Sequence, residues 1–400
     1  MNILFLAPRL PLPADTGGKI RTLNILRQTA KCGRLHLVCF QFEKSDAEFA
    51  RTLEQESIRV TLVPLQEPSL PRRLLQIVFN PLPYSIAKYH SPAMERVLAG
   101  LNRTERFDAL HVDHLHMAHY RGYFPGVPSF LDEHNVEYKI LERCCSVEKS
   151  PFKQWIFLDQ ARKMKRCEAQ MLETFSQYFA VSEDDRRLLA ELVQSAVPGQ
   201  VIANGVDTEY FQSQTPIQNL KEDQVVFTGS MDWLPNTDAV LFFCREILPL
   251  IWKSNAKVKF VVVGKKPAAE ITALAQKEPR IVVTGGVEDI RPFVDQSKIF
   301  VVPIRVGGGT RLKILEAMSM RKAVVSTTVG AEGILHTAGE NILLADEPAD
   351  FARQVVTLLN NPSRMESIGI QARQLVCGRY DWNIVGQRLE KIYTPRGQKM

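Results

Sequence analysis

Asn2-Ile-Leu-Phe-Leu-Ala7 opens the chain as a continuous apolar run with the length of one strand. Residues 8–18 follow as a loop, and a helical pattern then begins with apolar residues at Ile20, Leu23 and Leu26. An apolar run without alternation is typical of a strand buried on both faces, as the strands of a parallel sheet are. This order of strand, loop and helix therefore predicts the first unit of a doubly wound parallel α/β sheet.

The same unit recurs along both halves of the chain. Short apolar runs predict strands at residues 35–40, 60–64, 109–112, 129–132 and 178–181. The pattern restarts after residue 207 and predicts strands at residues 225–229, 258–264, 281–284, 299–303 and 323–326. Because 400 residues are too many for one ordinary core, we predict two Rossmann-like domains, at residues 1–198 and 199–378. A helix within residues 379–400 is expected to cross back to the first domain.

The composition limits the classes of protein to consider. A charged fraction of 24% and an apolar fraction of 45% are those of a soluble globular chain. No uncharged apolar stretch reaches the length of a transmembrane helix and no signal peptide precedes the first strand, so we expect a cytoplasmic protein. A net charge of +6 suits small anions or an anionic membrane surface better than nucleic acid, so no nucleic-acid partner is expected.

A run of glycines precedes a predicted helix in the second half. Residues 307–309 are all glycine, and Thr310 is a good N-cap residue for the helix that follows. Backbone N–H groups at such a helix start can bind phosphate. Arg311 and Lys313 fall in the first turn, where a cation is unfavourable unless an anion is bound. The pattern predicts a phosphate site with Arg311 and Lys313; the alternative is that both are solvated surface cations.

Five segments of the chain occur in an order known from one family of enzymes. They are Asp15-Thr-Gly-Gly18, Asn204-Gly-Val-Asp207, Gly229-Ser-Met-Asp-Trp-Leu-Pro-Asn236, Thr284-Gly-Gly-Val-Glu-Asp289 and Gly307-Gly-Gly-Thr-Arg-Leu-Lys-Ile-Leu-Glu-Ala-Met318. This set resembles glycosyltransferase family 4 over nearly the whole chain. The resemblance implies the GT-B architecture, in which two Rossmann-like domains face each other across a cleft. It also implies a retaining transfer from a UDP- or GDP-sugar to a glycan or lipid-linked acceptor, as in exopolysaccharide and lipopolysaccharide biosynthesis.

The resemblance assigns the donor to the second domain. Glu316 matches a glutamate that holds the ribose hydroxyls, and Val287 matches the backbone stretch beside the base; the alternative for Val287 is an ordinary strand-end residue. Arg311 and Lys313 are expected to neutralise the phosphates and so to act in catalysis. The other expected donor-binding residues are Gly229, Gly308, Gly309 and Thr310.

The chain departs from the family pattern in two places. Gly308 stands where the first glutamate of a two-glutamate motif is expected, which leaves the selectivity for the donor sugar open. An Arg and a Lys often follow the first strand of the second domain, but here that stretch reads Ser230-Met-Asp-Trp-Leu-Pro-Asn236. Lys265 or Lys266 is therefore expected to assist the two cations of the phosphate site.

The first domain is expected to hold the acceptor. Gly17 and Gly18 match a loop that approaches the donor phosphate and the acceptor, where a side chain would fill the gap. His134 follows a predicted strand, at the edge where parallel sheets bind ligands, and matches the family's active-site histidine. The alternative is a turn histidine that bonds only backbone. In a retaining reaction the acceptor attacks on the face that the nucleotide leaves, so no protein nucleophile is required.

A cluster of histidines admits a second interpretation. Imidazole and carboxylate groups are common metal ligands, and the cluster contains His111, Asp113, His114, His116 and His119. No Asp-x-Asp motif for a nucleotide-bound metal follows a predicted strand, and some of these side chains are expected to line the acceptor cleft. We therefore expect a metal-independent enzyme without a cofactor, whose co-substrate is the nucleotide-sugar.

Two stretches of the first domain mix basic and apolar residues. The first contains Trp155, Phe157 and Leu158 with Lys153, Arg162, Lys163, Lys165 and Arg166, and the second contains Arg72, Arg73, Leu74, Leu75 and Ile77. Basic amphipathic helices bind anionic lipid, so we predict peripheral attachment to the cytoplasmic face of the inner membrane. Ordinary solvated helix faces are the alternative.

Other functions are compatible with parts of this pattern. A GT-B nucleotide-sugar 2-epimerase would isomerise or hydrolyse its donor without an acceptor. A non-catalytic sugar-nucleotide-binding relative would tolerate Gly308 in place of the motif glutamate. An NAD-dependent dehydrogenase is not supported, because no G-x-G-x-x-G with a later acidic residue follows a strand.

Overall fold

The structure is a computed structural model that describes residues 1–65, 69–148 and 150–394. The chain divides into two compact units. The first unit comprises Met1–Ala203 and the segment that begins at Val385, and the second comprises Asn204–Ile384. The sequence indicates boundaries after residues 198 and 378, whereas the units change after residues 203 and 384. The segment after residue 198 belongs to the first unit because it adds a strand to that unit's sheet.

The first unit contains a seven-stranded sheet. Its strands are β1 (Asn2–Ala7), β2 (Arg34–Gln41), β3 (Arg59–Pro64), β4 (Ala109–Asp113), β5 (Ser129–Asp132), β6 (Gln177–Ala180) and β7 (Gly199–Val201). All pairs are parallel, in the order β3-β2-β1-β4-β5-β6-β7. Ile3 of β1 lies opposite Leu35 of β2 and Ala109 of β4.

The second unit contains a six-stranded sheet. Its strands are β8 (Gln224–Thr228), β9 (Lys259–Val263), β10 (Ile281–Val283), β11 (Ile299–Val302), β12 (Ala323–Ser326) and β13 (Leu343–Leu344). These strands are also parallel, in the order β10-β9-β8-β11-β12-β13. The two parallel α/β sheets confirm the fold class predicted from the sequence.

Helices connect the strands of both units. The α-helices are α1 (Gly17–Ala30), α2 (Asp46–Gln55), α3 (Leu70–Phe79), α4 (Tyr84–Ala87), α5 (Pro92–Thr104), α6 (Glu137–Val147), α7 (Pro151–Leu172), α8 (Glu183–Ala190), α9 (Leu234–Phe242), α10 (Leu248–Ser254), α11 (Ala269–Lys277), α12 (Arg291–Asp295), α13 (Leu312–Ser319), α14 (Pro348–Leu359), α15 (Pro362–Arg379) and α16 (Trp382–Tyr393). A 3-10 helix covers Leu115–Tyr123 between β4 and β5.

Burial of apolar side chains explains this arrangement. Strands β4, β5, β11 and β12 are buried along their whole length, as expected for parallel strands. Helix α13 buries Ile314, Leu315 and Met318 on the side that packs against β12 and α15. Full burial of one such side chain contributes about 1.5–3 kcal/mol to stability.

The strand predictions are confirmed, and two strands are missing from them. Every predicted strand is present, and its ends differ from the prediction by no more than one residue. β7 and β13 are not predicted because neither has an apolar run of strand length. Their positions follow from hydrogen bonding to β6 and β12, which only the assembled sheets provide.

The C-terminal helix returns to the first unit, as the sequence predicts. α16 passes so close to α1 that a Cβ atom at Gly386 would lie 2.1 Å from Oε1 of Gln28. At the end of α16, the hydroxyl of Tyr393 lies 2.6 Å from Nδ1 of His111 in β4. These contacts tie the end of the described chain to the core of the first sheet.

Each sheet changes its winding direction at one position. In the first unit the chain runs outward from β1 through β2 and β3 and returns to β4 on the other side of β1. In the second unit it runs outward from β8 through β9 and β10 and returns to β11. Open parallel sheets bind ligands at the carboxyl ends of the strands beside such a switch point. The residues that follow β1 and β4, and those that follow β8 and β11, are therefore the candidate site regions.

Candidate active site

The glycine loop between β11 and α13 lies at the switch point of the second unit. Gly307 and Gly309 have positive φ angles of 123° and 77°, which favour glycine. The helix begins at Leu312 and its N-cap residue is Arg311, so the prediction that Thr310 is the N-cap is wrong. The left-handed turn at Gly309 lengthens the loop, and the helix starts one residue later than the sequence indicates. The Thr310 hydroxyl is buried and has no hydrogen-bond partner.

The Arg311 side chain folds back over this loop. Its Nη1 donates to the carbonyl oxygen of Gly308 and, at 2.7 Å, to that of Gly309. A Cβ atom at Gly307 would lie 3.0 Å from Nη2 of Arg311 and 3.5 Å from Cγ of Pro235, at the start of α9. Arg311 is thus partly buried between the glycine loop and α9, where its charge is close to the carbonyl groups of Gly308 and Gly309.

Lys313 connects α13 to α9. Its Nζ donates to Oδ1 of Asn236 at 2.9 Å and lies 4.0 Å from the ring centre of Phe227. Asn236 is buried and donates its own amide to the carbonyl oxygen of Ser230 at 2.8 Å. Gly229 lies under this pair, because a Cβ atom there would be 2.7 Å from Nζ of Lys313 and 2.8 Å from Nδ2 of Asn236. The fold therefore brings the predicted residues Gly229 and Lys313 together.

Burial changes the acid–base chemistry of α13. It lowers the pKa of Lys313 to about 7, and the cation of Arg311 adds to this shift. It raises the pKa of Glu316 to about 7, although Lys313 opposes that shift. Because residues three apart share one face of a helix, two groups that titrate near neutrality lie side by side at the switch point.

The loops after β9 and β10 hold the other predicted residues of the second unit. Lys266 forms an exposed ion pair with Asp232, with 3.0 Å between Nζ and Oδ2. Lys265 lies beside Gly286, where a Cβ atom would be 3.4 Å from the Cβ of Lys265. Val287 is partly buried in the loop after β10 and is not a strand-end residue. Lys265 and Val287 thus belong to adjacent loops.

Two carboxylates end the central strands of the first unit. Asp113 is the last residue of β4, Asp132 is the last residue of β5, and both are fully buried. Asp113 accepts a hydrogen bond from the hydroxyl of Thr22 in α1 at 2.8 Å, and its other oxygen lies 2.8 Å from Nε2 of His134. Asp132 accepts from Nε and Nη2 of Arg21 at 3.1 and 2.5 Å. These bonds join α1 to both strands at the switch point.

His134 forms a hydrogen bond with the buried carboxylate of Asp113. It therefore differs from the alternative interpretation, a turn histidine that bonds only backbone. An ionised Asp113 can only accept, so Nε2 of His134 carries the proton of the shared bond. Burial lowers the pKa of His134 to about 3, which leaves the ring neutral near pH 7. The ring of His114 lies over it with 3.5 Å between centroids. A Cβ atom at Gly18 would lie 4.0 Å from Nε2 of His114, and Gly17 begins the same helix.

Two other histidines of the sequence cluster have different surroundings. His111 stacks on Phe5 with 4.3 Å between ring centroids, and burial lowers its pKa to about 3. His119 stacks on His90 with 3.8 Å between ring centroids. His111 therefore belongs to the core behind the switch point, and His119 packs elsewhere in the first unit.

Some of these side chains approach one another closely enough to hold a metal ion. Among the residues that the structure describes, three sets place one ligand atom of each member within 4.8 Å of the others: Asp113, His114 and His134; His114, His116 and Glu137; and His111, Asp113 and Asp132. Asp113 is already bonded by Thr22, and Asp132 by Arg21. Metal independence stays a prediction.

Two clusters of residues result, one around Lys313 and Asn236 in the second unit and one around Asp113 and His134 in the first unit. Several of their residues are not identified from the sequence. Asn236 occurs in a family segment, but no local pattern shows that it reaches Lys313. Arg21 and Thr22 follow the predicted glycine loop as ordinary helix residues. Asp132 offers a usable signal, since a carboxylate at the end of a predicted strand lies at the ligand edge of a parallel sheet.

Comparisons with protein families agree with the fold. Residues 43–210 match the family described as Glycosyltransferase Family 4, and residues 222–361 match that described as Glycosyl transferases group 1. The chain belongs to this glycosyltransferase family and is an enzyme of the GT-B class.

Similar individual proteins include a curated relative and several solved structures. An uncharacterized 44.6 kDa protein in the cps region of Klebsiella pneumoniae is 26% identical over 170 residues, which is 41% of this chain and 44% of that protein. HepE of Anabaena, solved with UDP-glucose, has a TM-score of 0.67, 17% identity, and coverage of 98% of this chain and 99% of its own. Sucrose-phosphate synthase of Thermosynechococcus elongatus has a TM-score of 0.71, 17% identity and 98% coverage of both chains. At this identity the structural similarities show the fold alone.

Proposed function

We propose that this chain is a retaining glycosyltransferase that moves a sugar from a UDP-sugar to a lipid-linked or glycan acceptor in cell-surface polysaccharide biosynthesis. The observation that carries the proposal is the contact between Lys313 and Asn236 above Gly229. It places a cation and a buried amide next to the glycine loop at the switch point, where an open parallel sheet binds its ligand.

The donor diphosphate binds at the glycine loop in this proposal. Backbone N–H groups at the start of α13 and the charges of Arg311 and Lys313 neutralise it, and each charge-assisted hydrogen bond contributes about 1.5–3 kcal/mol. Glu316 accepts hydrogen bonds from the ribose hydroxyls. Uridine is supported by two structurally similar proteins, HepE of Anabaena and TarM of S. aureus, which were solved with UDP.

The transfer step needs charge stabilisation more than a protein nucleophile. The acceptor hydroxyl forms the new bond to the anomeric carbon while the bond from that carbon to the diphosphate breaks, and the hydroxyl proton ends on the diphosphate. Arg311 and Lys313 stabilise the charge that develops on the leaving group. The neutral imidazoles of His134 and His114 orient the acceptor hydroxyl in the first unit, and Asp113 fixes the tautomer of His134.

An exposed surface of the first unit supports a lipid-linked acceptor. Helices α3 and α7 are joined by bonds from Gln160 and Lys163 of α7 to the carbonyl oxygen of Ile77, at 2.9 and 3.3 Å. Apolar side chains are exposed on both helices, namely Leu75, Val78, Phe79, Phe152, Trp155 and Leu158. The side chains of Arg72 and Leu74 lie outside the described residues. We refer to this surface of α3 and α7 as the apolar patch.

The charges around the apolar patch fit an anionic leaflet. Arg73, Lys153, Arg162, Lys165 and Arg166 are exposed on the same two helices. Each basic residue near such a leaflet contributes about 1 kcal/mol of attraction. No helix within the described residues is both long enough and apolar enough to cross a bilayer. On the exposed apolar and basic side chains of α3 and α7 we base the proposal of reversible peripheral attachment, which brings the enzyme to a lipid-linked acceptor. The relative from a cps region supports polysaccharide synthesis as the process.

Nucleotide binding tests the donor half of the proposal. Unfolding temperature is measured with UDP, GDP, ADP and CMP, with and without EDTA, for the wild type, for Arg311→Ala and for Arg353→Ala as an exposed-arginine control. A nucleotide at 100 times its dissociation constant adds about 2.7 kcal/mol to the stability of its unit. We expect UDP to stabilise the wild type and the control but not Arg311→Ala, with no effect of EDTA. Equal stabilisation of all three proteins would count against the phosphate site.

Product analysis distinguishes sugar transfer from the two alternative functions, a 2-epimerase and a non-catalytic relative. With a UDP-sugar and membrane extract as the acceptor source, we expect sugar in the lipid-linked fraction. Release of free sugar or of an epimer without an acceptor would identify a 2-epimerase or hydrolase. Binding of UDP without turnover of any UDP-sugar would identify a non-catalytic relative.

A further inference from the structure

A small cavity in the first unit lies apart from both clusters described above. Its volume is about 70 Å³, several times the roughly 10–15 Å³ that one water molecule requires. It is lined by Arg9, Phe42, Leu65, Arg73, Tyr84, Lys88 and Tyr89. Three of these residues are cationic and none is acidic. The composition of the lining therefore favours an anionic ligand.

The cavity is at the ligand-binding edge of the sheet. Phe42 and Leu65 directly follow β2 and β3, and Arg9 is the second residue after β1. Parallel sheets bind ligands at these carboxyl ends. The chain thus provides side chains from three neighbouring strand ends, and α3 and α4 close the cavity with Arg73 and Tyr84.

Aromatic rings hold the three cations in place. The guanidinium carbon of Arg9 lies 4.3 Å from the ring centre of Phe42, and that of Arg73 lies 5.1 Å from the ring centre of Tyr84. Nζ of Lys88 lies 4.8 Å from the ring centre of Tyr89. Cation–π contacts restrict these long side chains, so less conformational entropy is lost when an anion binds.

The positive charge of the cavity reaches the neighbouring histidine. Burial, together with the cations of Lys88 and Arg9, lowers the pKa of His116 to about 4. The ring of His116 lies 5.6 Å from that of Tyr89 and 5.8 Å from that of His114. A row of aromatic rings therefore leads from the cavity to the His114–His134 pair.

We infer that this cavity binds the phosphate or diphosphate group of the acceptor substrate, an inference that rests on the proposed glycosyl transfer. The acceptor hydroxyl then lies at His114 and the anionic group lies beyond His116, at the cations. Arg73 belongs to α3, and the same helix carries exposed Val78 and Phe79 of the apolar patch. A lipid chain attached to the diphosphate would thus find apolar surface on the helix that binds its phosphate.

Titration of the full chain with inorganic pyrophosphate tests this inference. Saturating UDP is present throughout, so that the donor site is occupied, and binding heat is measured at constant ionic strength. We expect Arg9→Gln and Lys88→Gln each to weaken pyrophosphate binding by about tenfold, as the loss of a charge-assisted contact implies. Arg51→Gln, which removes an exposed cation on α2, should leave it unchanged. Equal affinity in all four proteins would overturn the inference.

Further probes identify the source of the phosphate. Binding of farnesyl diphosphate at least tenfold tighter than pyrophosphate would support a lipid-linked acceptor. Equal binding of pyrophosphate and glucose 1-phosphate would support a soluble phosphorylated acceptor in the same cavity. Farnesol binding as tightly as farnesyl diphosphate would overturn the anion site. UDP binding to the wild type is measured first, before pyrophosphate is added. Failure of UDP to bind would count against the proposed function itself.

Discussion

Nζ of Lys313 lies 2.9 Å from Oδ1 of Asn236, and this bond joins the first turns of two helices that follow neighbouring strands. The lysine follows β11 by way of the glycine loop, and the asparagine follows β8. Both therefore lie at the switch point of the second sheet. The buried amide holds the ammonium over Gly229 at this switch point.

A double-mutant cycle measures the coupling between these two residues. Lys313→Gln should weaken UDP binding by about 10- to 100-fold, because a charge-assisted contact is lost. Asn236→Ala should weaken it less, and the two effects should not add, with a coupling energy of roughly 0.5–3 kcal/mol. Calorimetric titration gives the four dissociation constants. As a control, Lys277→Gln removes an exposed charge from α11 and should not change UDP binding. Additive effects of the Lys313 and Asn236 substitutions would argue against coupling between these two residues.

Gly229 should tolerate no side chain. Its φ of 154° is in the range that favours glycine, and a Cβ atom would lie within 3 Å of both Lys313 and Asn236. We expect Gly229→Ala to destabilise the protein by about 1–3 kcal/mol and to weaken UDP binding. Gly100→Ala is the matched control, since nothing lies within 4 Å of its Cβ position in α5, and it should stabilise by about 0.5–1 kcal/mol. Urea unfolding of both variants would reveal the difference, and equal midpoints would contradict it.

UDP affinity should depend on pH through Lys313. The pKa of this lysine is lowered to about 7 in the free protein, and a bound diphosphate favours the ammonium form and raises it. Affinity should therefore be highest below pH 7 and should fall as the pH rises from about 7 toward the pKa of the complex. Titrations between pH 6 and pH 9 measure this decline.

Two variants separate Lys313 from other titrating groups. Lys313→Gln should retain only the pH dependence of the nucleotide itself. Glu316→Gln removes the neighbouring carboxyl, whose pKa is raised to about 7, and should retain the decline. Identical pH profiles for the wild type and Lys313→Gln would exclude the lysine as its cause.

The buried ion pair of the first unit should be important for stability. Arg21 and Asp132 have side-chain exposures of 1% and 0%, so Asp132→Ala removes the carboxylate from a cation that cannot reach solvent. We expect a loss of about 3–5 kcal/mol. The exposed pair of Arg27 and Glu56 is the control, and Glu56→Ala should cost about 0–1 kcal/mol. Chemical denaturation measures the free energy of unfolding of both variants. Similar losses of stability in Asp132→Ala and Glu56→Ala would contradict the importance of the buried ion pair.

The apolar patch should bind anionic vesicles. Phe79 and Trp155 are 77% and 54% exposed, and burial of one such ring in a bilayer interface contributes about 1.5–3 kcal/mol. Replacing both with Ala should reduce sedimentation with anionic vesicles by at least about tenfold at low salt. Ile370→Ala, an exposed apolar residue of the second unit, is the control. Equal sedimentation of the wild type with neutral and anionic vesicles would contradict the proposed attachment to an anionic membrane.

The glycine loop shows the limit of local sequence patterns. Its glycines and the following apolar spacing predict a helix with an anion-binding start, and α13 begins there. The N-cap is nevertheless Arg311, because the left-handed turn at Gly309 extends the loop by one residue. Sequence spacing identifies which residues belong to a helix start, but the backbone angles of the preceding loop decide which of them caps it.

The sequence by itself determines every strand except β7 and β13 and the alternation of strands with helices, because apolar runs and helical spacing depend only on neighbouring residues. It also determines that glycines and cations cluster around the start of α13. Only the tertiary structure decides that Asn236 receives Lys313, and that Asp113 holds both Thr22 and His134. Those partners are separated by 77, 91 and 21 residues, and they meet because parallel strands bring their carboxyl ends to one edge of each sheet.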